Sequence, residues 1–130
     1  MLNSGQVQRL YSLVGKEHVL TDEADLWVYG HDATALLRSR PGAVVSPANT
    51  EQVAQPVEFA NQEGLSLVPR GSGTGLSGGS VPLERCIVVS MLRLNQILEV
   101  DRANMVARVQ PGVITGHLHQ AVEAEGLFYP

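Results

Sequence analysis

The sequence predicts an α+β fold: a small lobe built on a parallel βαβ unit, followed by the start of a mainly antiparallel lobe. Three observations carry this. A strand–helix–strand pattern occupies residues 43–69. A glycine-dense loop from Gly71 to Gly79 lies between two apolar runs, Leu65–Val68 and Cys86–Val89. An alternating pattern around Asp101-Arg102-Ala103-Asn104 then reads as a β-hairpin.

The elements follow in order. Ser4 is placed to cap a first helix, in which Val7, Leu10, Tyr11 and Val14 fall at i, i+3, i+4 and i+7 on one face. Gly15 is its expected stop. Asp22 is placed to cap a short second helix, Glu23 to Val28, with Leu26 and Trp27 as packing residues. Tyr29 to Thr34 reads as a polar turn, in which His31 and Asp32 are adjacent and expected to be solvated or capping. Ala43 to Ser46 is a short strand closed by Pro47.

A helix opens at Thr50, with Glu51 favourably placed in its first turn and Val53, Val57, Phe59 and Ala60 on its buried side. Gly64 ends it. Pro56 predicts a kink or a late start near Gln55, because proline inside a helix removes a hydrogen bond and crowds the preceding turn. A strand at 65–69 completes the unit, whose crossover is expected to be right-handed with parallel strands.

Beyond the glycine loop, Cys86 to Met91 reads as a strand and Leu92 to Gln96 as a helical turn. Residues 97–101 and 105–109 form the hairpin strands, and Pro111-Gly112 breaks the second. Thr115 is placed to cap a last helix with Leu118, Ala121 and Val122 inward, closed by Gly126. The apolar ending Leu127-Phe128-Tyr129-Pro130 reads as a chain cut short, which predicts uncovered strand edges and poor solubility in isolation.

Composition narrows the function. With 130 residues, 44% of them hydrophobic, the chain has room for one core. A formal net charge of -4, 5% aromatics and no Lys/Arg run argue against a nucleic-acid partner. No long uncharged apolar stretch is present, and the N-terminus lacks the basic and apolar regions of a signal peptide. The single cysteine, Cys86, has no partner for a disulfide or a metal motif and is expected to be a buried thiol. His117 and His119 are two apart on a helix and point to different faces, so no metal site is expected. The expected compartment is the cytoplasm, with any membrane association supplied by partner subunits.

Five of the chain's 13 glycines lie between Gly71 and Gly79. Such a loop, held between two strands, can aim successive backbone N–H groups into one concavity, an anion site suited to phosphate or pyrophosphate. The P-loop pattern is absent, since no lysine follows these glycines. The G-x-G-x-x-G pattern is present as Gly73 to Gly78, with Glu99 downstream where a ribose-binding acid is wanted. A nicotinamide-type Rossmann site, however, needs a helix beginning on the loop, and Gly79-Ser80-Val81-Pro82 shows no helical periodicity. Arg70 is open between binding phosphate and bracing the loop through a carboxylate. The hydroxyls of Ser72, Thr74 and Ser77 are open between a ligand and their own backbone, with the ligand favoured for Thr74 and Ser77.

Pro69 to Gly79 resembles the pyrophosphate loop of the FAD-binding domain shared by vanillyl-alcohol oxidase and p-cresol methylhydroxylase, the PCMH-type domain. Within it, the resemblance is to the glycolate oxidase catalytic subunit and D-lactate dehydrogenase branch. Tyr29–Thr34, Pro41 with Val44–Pro47, Glu51–Val53, Leu94–Asp101, Val109–Val113 and Gly126–Pro130 fall in the family's order. The resemblance implies an N-terminal helical segment at 1–38 and a truncated FAD-binding domain at 39–130, without the substrate cap domain. It implies that FAD's pyrophosphate lies along Pro69, Arg70, Gly71, Ser72, Gly73, Thr74 and Gly75. Leu76, Ser77 and Gly78 continue the wall, and Pro111, Gly112 and Val113 form a second cofactor segment. Thr74 stands where tethered-flavin relatives often carry histidine, so the flavin is expected to be non-covalent. The implied reaction of a full-length relative is oxidation of a small 2-hydroxy acid, with hydride passing to flavin N5 and electrons to an acceptor that can be a partner subunit. No catalytic residue is expected within this chain. Its rivals are a non-catalytic fragment with weak nucleotide binding and a Rossmann-type NAD enzyme.

Overall fold

The computed structural model describes residues 1–34 and 36–130. Helix α1 (Ser4–Val14) leads through a 3-10 turn to the short strand β1 (Val19–Leu20) and helix α2 (Glu23–Val28). Strand β2 (Ala43–Val45), helix α3 (Thr50–Glu63) and strand β3 (Leu67–Arg70) follow, and then strand β4 (Ile87–Ser90). The hairpin β5 (Ile97–Asp101) and β6 (Val106–Val109) precedes helix α4 (Thr115–Ala124).

The main sheet runs in the order β1-β2-β4-β3, with β2 and β3 both parallel to β4 and β1 antiparallel at one edge. The expected βαβ unit is therefore present with parallel strands, but β4 is inserted between its two strands. Composition explains the insertion. Ile87, Val88 and Val89 are fully buried, as a strand covered on both faces must be. β3 carries Pro69, which lacks the N–H that an inner strand needs, so it takes the edge. β1, two residues long, gave no readable strand pattern.

Two apolar clusters cover the sheet. On one face Leu10 and Val14 of α1 and Phe59 and Ala60 of α3 meet Ala43, Val45, Ile87 and Val89. On the other, Leu26 of α2 meets Val44 and Val88. Residues 1–38 thus share the core with the rest of the chain. Cys86 is buried and free, and burial pushes its thiol pKa up.

Several local expectations change. Asn3, not Ser4, caps α1: its side chain accepts from the Gln6 amide at 2.8 Å, while the Gln6 side chain accepts from the Asn3 amide at 3.0 Å. Asn49 caps α3 in the same way through the Gln52 amide, and neither Asp22 nor Thr115 makes a side-chain cap. α3 runs unbroken through a buried Pro56, so the late start near Gln55 is not taken. Trp27 is 62% exposed. A six-residue helix buries one face, and Leu26 occupies it, which turns the next residue outward. Val57 is exposed for the same reason, since Pro56, Phe59 and Ala60 define the inward side of α3. Residues 92–96 form no helix; the Leu94 amide closes a single turn on the Met91 carbonyl at 2.8 Å. Among the described residues, no helix is long and apolar enough to cross a membrane.

The hairpin forms as expected, antiparallel, with an irregularity between Ile97 and Glu99. Its turn is held by Asp101, which accepts from the Asn104 side chain at 2.7 Å and from its amide at 3.0 Å. These bonds, the side-chain one first, hold the Asp101 carboxyl below its ordinary value of 3.8. A depressed carboxylate contributes stability that is present above its unfolded pKa and lost as pH falls through its folded one. The hairpin turn is therefore expected to loosen selectively below the ordinary aspartate value, read from the Asn104 side-chain amide signals. Asp101→Asn removes that pH step.

Candidate functional site

The parallel strands β3 and β4 end side by side, with Arg70 in register with Ser90. The carboxyl ends of parallel strands are where open α/β sheets hold ligands. Two of the chain segments that meet there leave from these ends. The glycine loop starts directly after Arg70. Met91, just past β4, donates its amide to the Arg70 carbonyl at 2.8 Å. Its own carbonyl lies against Gly112, whose amide bonds the Leu94 carbonyl at 2.8 Å. Pro111, Gly112 and Val113 are thus brought to the strand end that launches the loop.

From Gly71 to Val81 the chain contains no helix. Among the described residues, none of the ten backbone amides from Gly71 to Ser80 donates a hydrogen bond. The hydroxyls of Ser72, Thr74 and Ser77 make none either. The loop is largely exposed, Leu76 at 78%, so the donors from Gly71 to Ser77 are available to a ligand from solvent, while the amides of Ser80 and Gly78 lie toward Asp32. A Cβ on Gly71 or Gly79 would meet nothing within 4 Å, so the backbone is open to close approach.

The underside of the loop is built, not empty. The Arg70 side chain is 8% exposed. It donates from Nη1 to the His31 carbonyl at 2.6 Å and lies over the Tyr29 ring, 5.5 Å from its centroid. Its guanidinium sits where a Cβ of Gly73 would stand, and Gly73 has φ 72°. Of the two roles open for Arg70, the geometry supplies a brace, made on a main-chain carbonyl and an aromatic ring and not on the carboxylate expected. Tyr29 to Thr34 forms the floor. Ala33 donates its amide to the Gly75 carbonyl at 3.1 Å. Asp32, expected to be solvated or capping, does cap the Thr34 amide at 2.8 Å but is only 6% exposed. The Thr34 amide, first among its neighbours, holds the Asp32 carboxyl below its ordinary value. A polar dipeptide in a turn carries no sequence signal for burial, because the loop that covers it lies some 40 residues downstream.

Other candidates stay apart. Glu99 lies in a hairpin strand opposite Arg108 and pairs with it at 3.3 Å on the hairpin surface. His119 packs its ring on Tyr129 at 5.4 Å.

The residues fit a diphosphate cofactor: a row of unengaged amides over a braced floor, with space above the glycines. Comparison with known proteins agrees. A family profile described as "FAD binding domain" matches residues 41–130. The chain is 41% identical over 130 residues to the glycolate oxidase subunit GlcD of Bacillus subtilis (strain 168). It is equally similar, 41% over 130 residues, to the D-2-hydroxyglutarate dehydrogenase of Stutzerimonas stutzeri (strain A1501). In both cases the match takes in 100% of this chain and 28% of the relative. Among solved structures, p-cresol methylhydroxylase with substrate bound superposes with a TM-score of 0.81 at 22% identity, over 97% of this chain and 26% of that one. That likeness shows the fold, the PCMH-type arrangement. The chain spans between a quarter and a third of the length of these proteins, and it belongs to the FAD binding domain family.

Proposed function

We propose that this chain is the FAD-binding portion of a flavin-dependent 2-hydroxy acid dehydrogenase or oxidase. One observation carries the reading: the amides from Gly71 to Gly75 that bond to nothing among the described residues. A diphosphate is the ligand whose oxygens match a row of backbone donors with no helix behind it. Gly71, Ser72, Gly73, Thr74 and Gly75 hold it, following Pro69 and the bracing Arg70. Leu76, Ser77 and Gly78 continue the wall, and Pro111, Gly112 and Val113 close on the cofactor from the end of β4. Residues 39–130 are the FAD-binding unit, with 1–38 as a helical segment packed on it. The kinship with glycolate oxidase and D-2-hydroxyglutarate dehydrogenase supports a small 2-hydroxy acid as the substrate of the whole relative.

The flavin when bound supplies a hydride acceptor; this chain's residues hold and orient it. Thr74 offers a hydroxyl where a ring nitrogen would be needed for a covalent link, so the cofactor is held non-covalently.

Dialysis of the purified chain against FAD and NAD separately tests the cofactor. FAD is expected to be retained and NAD lost; retention of NAD alone overturns the assignment. Acid precipitation of the flavin-loaded protein is expected to leave the yellow colour in the supernatant. Flavin that stays with the pellet contradicts non-covalent binding. In a protein joining this chain to the substrate half, anaerobic glycolate, D-lactate or D-2-hydroxyglutarate is expected to bleach the flavin. No bleaching by any 2-hydroxy acid overturns the reaction class.

A further inference from the structure

A carboxylate is buried beneath the glycine loop. Asp32 is 6% exposed, and its Oδ1 is taken by the Thr34 amide at 2.8 Å. Its Oδ2 is buried with no hydrogen-bond partner among the described residues. That oxygen lies 4.0 Å from where a Cβ of Gly75 would stand, and the next residue, Ala33, ties its amide to the Gly75 carbonyl. The Thr34 hydroxyl, itself buried with no hydrogen-bond partner among the described residues, and after it the amides of Ser80 and Gly78 favour the charge on the carboxylate, although neither amide makes a hydrogen bond to it. Capping the turn at Thr34 needs one oxygen only, and leaves the second unexplained. A ligand on the open side of the loop cannot reach it, because the loop itself covers it.

We infer that Asp32 is a positioning residue of the pyrophosphate loop: its buried negative charge orients the amides of Gly78 and Ser80 inward and confines the diphosphate to the amides of Gly71–Gly75. A second anion approaching Gly78 or Ser80 meets like charge from below, poorly screened by solvent. Toward the start of the loop the buried charge is of opposite sign, the Arg70 guanidinium beneath Gly73. The loop thus has a cationic floor where phosphate sits and an anionic one where it does not. Held in this shape before FAD arrives, it has less ordering cost to meet on binding. The part of this inference that concerns FAD rests on the function proposed above; the part that concerns the loop's shape does not.

Asp32→Asn tests it. Asparagine keeps the volume and the cap on Thr34 but replaces Oδ2 with a donor facing donors. In the flavin-free chain, backbone order parameters from Gly75 to Ser80 are expected to fall from the rigid range, about 0.85, to below about 0.6, with β2 and β4 unchanged. FAD affinity is expected to fall about tenfold, the equivalent of about 1.4 kcal/mol. Unchanged loop order, or a loosening shared by the whole sheet, overturns the inference. A wild-type measurement guards against a variant that fails to fold. As pH is lowered, the amide signals of Gly78 and Ser80 are expected to move together, with a midpoint below the ordinary aspartate value of 3.8. Signals that stay still contradict it. These arms use no flavin, so failure of the cofactor assignment leaves them readable.

Discussion

Gly112→Ala is expected to cost stability on the order of 4 kcal/mol, a loss at the upper end for a single substitution. The methyl group would overlap the Met91 carbonyl, with the Met91 carbon at 2.8 Å and the Leu94 oxygen at 2.9 Å. These are backbone atoms and have no rotamer to move into. The only relief is a shift of the Gln110–Val113 segment. That shift breaks the Gly112 amide bond to Leu94 and strains the Gln110 amide bond to Gln96, 2.8 and 2.9 Å long. Because Met91 also donates to Arg70, the disturbance reaches the start of the glycine loop. Gly116→Ala is the control. Its Cβ meets nothing within 4 Å and it lies inside α4, so alanine there is expected to stabilise by about 0.5–1 kcal/mol. Urea melts of the two variants should move in opposite directions.

Gly73→Ala is expected to weaken FAD binding about 100-fold while leaving the sheet folded. Gly73 has φ 72°, and a side chain in the left-handed region costs about 1–2 kcal/mol. Its methyl would also stand in the Arg70 guanidinium. Arginine is usually flexible, but this one is pinned by the His31 carbonyl and the Tyr29 ring. Moving it gives up a charged hydrogen bond worth about 1.5–3 kcal/mol. Part of that total falls on the loop's bound shape, and about 2.8 kcal/mol corresponds to 100-fold. Arg70→Lys should weaken binding as well, since an ammonium cannot both stack on Tyr29 and reach His31 in one plane. Calorimetric titration with FAD reads both variants. Gly73→Ala binding within threefold of wild type would show that the brace does not shape the site.

The glycine loop was legible in sequence because its density, its strand flanks and the missing helical periodicity after Gly78 are all local properties. The hairpin was legible for the same reason. Strand order was not: the insertion of β4 between β2 and β3 is a competition for the central position, decided by Pro69 and by the apolarity of Ile87–Val89 together. Caps were misplaced by one residue at both Ser4 and Thr115: at Ser4 the adjacent Asn3 fits a cap equally well and only the chain path chooses, and at Thr115 the cap position falls on the apolar Ile114, which carries no side-chain signal. Trp27 misled because hydrophobicity was read without the rotation of a short helix. The floor of the site was the largest omission. Arg70 was visible, but its partners Tyr29 and His31, and the burial of Asp32, depend on a segment about 40 residues upstream folding beneath the loop.

The amide spectrum of the chain, titrated with FAD, with inorganic pyrophosphate and with riboflavin, tests most directly whether loop amides hold the diphosphate. Signals of Gly71, Ser72, Gly73, Thr74 and Gly75 are expected to shift with FAD and with pyrophosphate and to stay still with riboflavin, which has no phosphate. Riboflavin moving the same signals as FAD, or FAD binding without moving them, would contradict it.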